Sequence, residues 1–379
     1  MVKQFYMLQD MESLNIETKL PIKYKQNYHP EFYKELKRRV DKAFNDKGIS
    51  IKGNSIMKFK VMMLVVGYLI TYTIIILADL NDISNLFLVI ILGVLAALIG
   101  LNISHDAVHN AIFKRKWINY LFSFTFNFFL GANEYVWRIT HNMVHHQFPN
   151  VPEMDPDISQ TKLLRMSPVD KLKWFHKYQH FYFPIVYLLF GFYLVFIKDF
   201  RVIFGMNRLG NKRRMVHPLK EYIILFVTKI IYIGYMIVIP SMVFPFWKVI
   251  IAFILMQVIL AIIFTIVTAP AHVATSNKYF TPNSKGIIEE NWAVVQLETT
   301  TDFSRNSWIA NNFFGGGNYQ VVHHLFPGIC HIHLPWISQI VDKTTLEYGL
   351  EYNHTSLISV LHHHVKMLRA FGQKEDPFS

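Results

Sequence analysis

The chain has 379 residues, of which 52% are hydrophobic, 15% aromatic and only 17% charged. With a mean hydropathy of +0.24, that composition excludes an ordinary soluble domain and implies membrane spans. The net charge of +12 does not point to nucleic acid, because the basic residues flank apolar runs, as they do in loops beside an anionic leaflet.

Residues 1–58 are polar and basic, and they read as an N-terminal segment ahead of a membrane domain over 59–379. The opening MVKQFYMLQDMESL has no apolar core and no small-residue cleavage site, so it is not expected to act as a signal peptide. In HPEFYKELKRRVDKAF, the residues Phe32, Leu36, Val40 and Phe44 recur every four positions, which predicts an amphipathic cytoplasmic helix. Four apolar runs of nearly the length needed to cross a bilayer follow, at 61–78, 86–103, 221–244 and 247–269. The joint IPSMVFP makes a hairpin of the last two. Two shorter aromatic runs, 117–132 and 181–197, are expected to lie in the interface. The connections 79–85 and 240–246 carry no Lys or Arg, whereas 114–116, 162–177 and 198–214 are rich in them. By the positive-inside rule both termini and the long polar segments are cytoplasmic. The expected fold is therefore all-α and integral to the membrane: four transmembrane helices under a helical cytoplasmic cap.

Histidines cluster where the spans end. HDAVH after the second run gives His105 and His109, HNMVHH gives His141, His145 and His146, and QVVHH gives Gln320, His323 and His324. The spacings i, i+3 and i+4 place each set on one helical face. His272 follows the fourth run in TAPAHVATSN. If the boxes share one site, an even number of crossings separates them, which is a second reason to keep 117–132 and 181–197 out of the spanning set. Imidazole suits Fe, Zn, Cu and Ni alike, but eight histidines exceed one tetrahedral site and fit two metals with open positions. Asp106, Asp155 and Asp157 stand close enough in sequence to accept the second ring N–H of ligating histidines. Gln320 reads equally as a packing amide, a weak ligand or a group that orients a ligand.

Other histidines have plainer readings. HKYQH (176–180) opens an aromatic run, HHH (362–364) reads as the solvated face of a C-terminal helix, and His331 and His333 read as structural or supporting the site. Cys330, the single cysteine, permits no intramolecular disulfide and reads as packed near the third box. GGGN (315–318) reads as flexible backbone entering that box.

Taken in order, HDAVH, HNMVHH and GGGNYQVVHHLFPGICHIHLP resemble the membrane fatty acid desaturase superfamily. The QxxHH form is similar to the front-end and bacterial acyl-CoA (linoleoyl-CoA type) branch. The resemblance implies a four-span fold with a cytoplasmic di-iron centre, two Fe ions held by His105, His109, His141, His145, His146, His272, His323 and His324. It implies O2-dependent insertion of a cis double bond into an acyl-CoA or membrane acyl-lipid chain, with no catalytic residue separate from the metal centre. Three positions depart from related patterns: Thr268 where the stearoyl-CoA branch has Asn, Val322 where many front-end enzymes have Glu, and GGGN for GGLN. No HPGG haem motif is present, so electrons are expected from a separate ferredoxin, or from free cytochrome b5 with a reductase. A hydroxylase on the same metals is the nearest rival. A membrane zinc receptor or transporter is the rival from another class, but the four apolar runs contain no histidine, which argues against transport.

Overall fold

A computed structural model describes residues 22–25, 29–159, 161–205 and 216–373. The opening stretch MVKQFYMLQDMESL and most of the basic segment 198–214 lie outside the described residues. The described residues are mostly helical; their strands are two parallel pairs of two residues each, Lys23–Tyr24 with Ile287–Ile288 and Asp302–Phe303 with His354–Thr355.

Helix α1 (Phe32–Asp46) forms as the four-residue spacing predicts, with Phe32, Leu36, Val40 and Phe44 all buried. Among the described residues four helices are long and apolar enough to cross a membrane: α2 (Ser55–Leu77), α3 (Asp82–Val108), then, after the intervening elements, Leu219–Ser241 and Phe246–His272. Asn54 and Asn81 start α2 and α3 by accepting the backbone N–H groups of Met57 and Ser84. Between α3 and the third span run the short α4 (Lys116–Ser123), α5 (residues 134–145) and a pair, α6 (Trp174–Leu188) and α7 (Phe190–Ile203), bent by 59°. The third and fourth spans are α8 (Leu219–Ser241) and α9 (Phe246–His272). The cap is completed by α10 (Trp292–Thr299), α11 (Trp308–Phe313), α12 (Gln320–Leu325), α13 (Leu334–Glu347) and α14 (Leu357–Gln373).

The spans are not equivalent. In their most apolar windows 61% of α3 and 44% of α9 is buried, against 17% of α2 and 22% of α8. Helices α3 and α9 are therefore the protein-facing pair, and α2 and α8 show lipid most of their surface. The pair packs closely at Gly93, where a Cβ would lie 2.9 Å from both the Ile259 side chain and the Met256 carbonyl.

Of the two aromatic runs, the first forms only short helices and the second the bent pair. Helix α4 and the turn of helix after it, Phe126–Leu130, are too short to span. The Lys229 ammonium on α8 ties this segment and α7 together, donating to the Gly131, Leu194 and Val195 carbonyls and pairing with Asp199 at 2.7 Å. Since His145, before the bent pair, and His272, after α8 and α9, have ring centroids 4.5 Å apart, the pair α6–α7 must return to the side it came from.

The spans are also longer than their apolar runs. Helix α3 continues through a wide turn at Gly100–Ser104 and carries its regular structure to Val108. Helix α9 runs to His272 despite Pro270. Histidines that follow the apolar runs in sequence are thereby held at the ends of the two most buried helices.

The GGGN segment is a correction. Gly315 and Gly316 have φ of +58° and +83°, and a Cβ on Gly315 would sit 2.1 Å from the Leu101 carbonyl oxygen. These glycines are needed for a left-handed turn pressed against α3, not for flexibility. Replacing Gly315 with Ala should cost at least about 2 kcal/mol of stability, seen as a lower unfolding midpoint in detergent. Gly234→Ala, where a Cβ meets nothing within 4 Å, should be neutral or slightly stabilising. On α1, Phe44 packs edge-on to Trp336 at 4.8 Å. Phe44→Ala should lose about 3 kcal/mol, while the exposed Lys42→Ala should leave the midpoint unchanged.

Candidate metal centre

Each histidine reaches the site from a helix end. His105 and His109 come from the end of α3, His141, His145 and His146 from α5 and the residue after it, His272 from the end of α9, and His323 and His324 from α12. Helix α12 is only six residues long, and Asp302 holds it in place by accepting the Val321 N–H at 2.8 Å. Burial pushes the Asp302 carboxyl up to about 7, against the opposing pull of hydrogen bonds from Tyr352 and Val321.

The eight predicted histidines form two adjoining groups. His105, His109, His141, His146 and His323 bring five ring nitrogens within 4.8 Å of one another, and His145, His272 and His324 bring three. The groups touch where His146 stacks on His324, ring centroids 4.3 Å apart. In the larger group Nε2 faces Nε2: His105 to His141 at 3.0 Å, His141 to His146 at 3.1 Å and His146 to His323 at 3.1 Å. A neutral imidazole has one proton for two nitrogens, so such a chain cannot be satisfied internally. Lone pairs crowded on one point in a dry interior need a cation.

The outer nitrogens define which atom faces inward. His145 Nδ1 donates to Asp155 at 2.9 Å, with Asp157 at 3.5 Å, and His324 Nδ1 donates to Gln296 at 2.9 Å. Both rings therefore present Nε2 to the centre, and the buried Nε2 of His145 has no hydrogen-bond partner among the described residues. This is the arrangement in which carboxylates and amides orient metal-bound imidazoles. Burial, then the crowd of neighbouring imidazoles, pushes His141 and His146 well below the ordinary histidine range. They stay neutral, the form that binds metal. At His145 burial also opposes the charged ring, but the Asp155 and Asp157 carboxylates outweigh it and raise the group to about 9.

Gln320 sits between two rings of the smaller group. Its amide nitrogen lies 2.9 Å from His272 Nε2 and 3.2 Å from His324 Nε2, and the reverse amide orientation turns the oxygen to the same place. Asp155 is buried and accepts the Asn150 N–H as well as His145, so it is a fixed strut. Asp157 is partly exposed and flanks it.

Asp106 is placed differently from the sequence expectation. It follows His105 directly on α3 and so points about a quarter-turn away, where it accepts from both Nδ1 and the backbone N–H of His331, at 2.8 and 3.1 Å. Together with Cys330 it forms a separate buried cluster. His333 meets the Lys52 carbonyl at 3.1 Å, and His176 is buried against the Lys162 carbonyl at 3.1 Å; both serve the fold. The HHH segment is a second correction. His362 is exposed, but His364 is fully buried between the Tyr187 hydroxyl and the Val273 carbonyl. Thr268 turns back to the Phe264 carbonyl at 3.0 Å and lines the cavity beside the histidines.

Sequence reasoning missed Gln296, Asn150 and Asp302. Asn150 donates to the His272 carbonyl at 2.8 Å while bracing Asp155. Gln296 and Asp302 lie far from every histidine box in sequence, and Asn150, four positions after His146, acts on His272 and Asp155 and on no residue of a helical i, i+4 set, so spacing carries no signal for their roles.

Next to the smaller group lies an apolar cavity of about 420 Å³. Its histidine wall is His105, His141, His145 and His272 with Gln320, and it extends between Leu164, Val186, Leu189, Phe190 and Phe264.

Comparison with known proteins agrees with this architecture. Residues 83–356 match the family model described as fatty acid desaturase. An acyl-lipid (8-3)-desaturase of Physcomitrium patens is 31% identical over 362 residues, covering 94% of this chain and 75% of the relative. An sn-1 linoleoyl-lipid 6-desaturase of Arthrospira platensis is 31% identical over 322 residues, 85% of this chain and 87% of the relative. A protein of the same description from Synechocystis sp. is 29% identical over 345 residues, 90% and 96% of the two chains. Four helices able to span a membrane, a buried histidine centre beside an apolar cavity and these relatives together make the chain an enzyme of the fatty acid desaturase family.

Proposed function

We propose that the enzyme inserts a cis double bond into the acyl chain of a membrane lipid or acyl-CoA, using O2, two irons and electrons from a separate donor. The observation that carries the reading is the five-and-three grouping of ring nitrogens on the wall of an apolar cavity. His105, His109, His141, His146 and His323 would hold one iron, and His145, His272 and His324 the other, with Gln320 beside the second. Bound there, the irons would supply the oxygen-activating chemistry that removes two hydrogens from adjacent methylenes. The protein's own part is to orient and to exclude water. Asp155, Asp157 and Gln296 hold the outer Nδ1 atoms of His145 and His324 and so turn their Nε2 atoms toward the centre. Phe190, Phe264 and Leu164 hold the methylenes against the histidine wall and keep the site dry.

The relatives' names favour an acyl lipid over acyl-CoA, and the lipid-facing character of α2 and α8 suits a substrate that arrives from the membrane. The basic loops support a cytoplasmic location for the site and both termini, where ferredoxin, or cytochrome b5 with its reductase, would dock. The rival hydroxylase would use the same residues, so only the product separates the two.

The test is the fatty acid profile of a host that lacks polyunsaturated lipids, fed oleate and linoleate separately and supplied with ferredoxin and its reductase. Wild type should add one double bond and His324→Ala none; a hydroxy acid in place of the alkene would replace the reading with the rival. In purified protein, Asp155→Asn should weaken iron binding by roughly 10- to 100-fold, measured by competition with a chelator. Unchanged affinity would remove Asp155 from the site's support.

A further inference from the structure

The fold buries two lysines, Lys198 and Lys229, but treats them differently. Lys229 on α8 is satisfied by three carbonyls and by Asp199. Lys198, on α7, is just as buried, at 6% exposure, and lines the cavity that reaches the histidine wall. Its nearest acidic neighbour in the chain, Asp199, is already taken by Lys229 and the Asn133 N–H. Among the described residues no hydrogen bond or ion pair reaches its ammonium group, which rests instead on the face of Trp137, 4.1 Å from the ring centroid.

An ammonium in apolar surroundings is costly to bury without acceptors. The face of Trp137 recovers part of that cost but accepts none of the three N–H groups. The Asp157 carboxylate, on the same cavity wall, attracts the ammonium but makes no ion pair with it, so the remaining acceptor comes from what fills the cavity. Lys198 is the one Lys or Arg among the lining residues, and the walls around it are otherwise largely aliphatic and aromatic. A ligand that suits both is a long apolar chain with a hydrogen-bond acceptor at one end. Asp157 lines the same cavity and disfavours a second carboxylate there, so the acceptor is a neutral one.

We infer that Lys198 anchors the carbonyl oxygen of the acyl substrate, ester or thioester, and so fixes where along the chain the methylenes meet the histidine wall. This rests on the acyl-chain reading of the cavity. Lys198 is here a substrate-binding and specificity residue, separate from the metal ligands. Its donors pin the head of the chain while the aromatic walls hold the remainder.

The test is anaerobic competition binding on the full-length, iron-loaded enzyme in detergent, where no turnover occurs. The probe is radiolabelled methyl oleate, displaced by unlabelled methyl oleate, S-methyl thiooleate or (Z)-8-heptadecene, which keeps the chain and lacks the carbonyl. Wild type should bind the better of the two carbonyl compounds about tenfold more tightly than the alkene, and whichever binds better identifies the ester or thioester source. Lys198→Met should bind all three alike, and Lys198→Arg should keep the preference. Wild type that binds all three equally overturns the anchor and leaves the acyl reading standing. Wild type that binds none of them overturns both. If Lys198→Met fails to fold, Lys198→Gln takes its place, and a full wild-type carbonyl preference kept in Lys198→Met overturns the anchor.

Discussion

Everything in this molecule follows from eight imidazoles held with their lone pairs facing inward in a dry interior. Such a set is unstable by itself: nitrogen faces nitrogen at 3.0–3.1 Å in the larger group, and burial disfavours the protons that would relieve the repulsion. Only a rigid scaffold can hold that arrangement ready for cations. The fold provides it by placing His105, His109 and His272 on the ends of its two most buried helices, α3 and α9, whose backbones close up at Gly93. The remaining histidines are then braced against this pair. Gly315 presses the start of the third box onto α3, and Asp302 caps the short helix that carries it.

The scaffold and its membrane setting are consequences of the same demand. Helices α2 and α8 face outward and contribute little to the site, yet they shield α3 and α9 and form the hairpins that return each box to one side. The bent pair α6–α7 re-enters because a further crossing would separate His145 from His272. Its reward is the cavity: helices that lie along the site without crossing leave room for a chain to run between α7, α9 and the histidine wall.

Much of this was legible in the sequence because the signals are local. Apolar runs of about twenty residues, a four-residue repeat in α1 and histidines at i, i+4 each need only a short window to be read. The four spans, the amphipathic helix and the meeting of all eight histidines accordingly appear as the sequence suggests. What could not be read depends on chain segments far apart. Gln296 meets His324 across 28 positions and Asn150 meets His272 across 122. Asp106 was misdirected by proximity: adjacency to His105 on a helix turns it away, toward His331 at a separation of 225. His364 looked solvated because its neighbours are, and the GGG turn looked loose because glycine is ambiguous until its φ is known.

The two histidine groups are unequal, and the inequality has a direction. Five rings enclose one point, while three rings and the Gln320 amide surround the other. The cavity touches both groups, through His105 and His141 on one side and His145 and His272 on the other, with Gln320 at its edge. A site with fewer histidines has room for something else, and here the adjacent space is apolar. The carboxylates stand on that same side: Asp155 and Asp157 both lie against His145, with Asp157 close to His141 as well. Negative charge beside the three-ring group offsets its smaller number of donors without filling the inner position. Both groups thus border the chain-shaped space, the five-ring one more fully surrounded by nitrogen donors and the three-ring one with fewer of them.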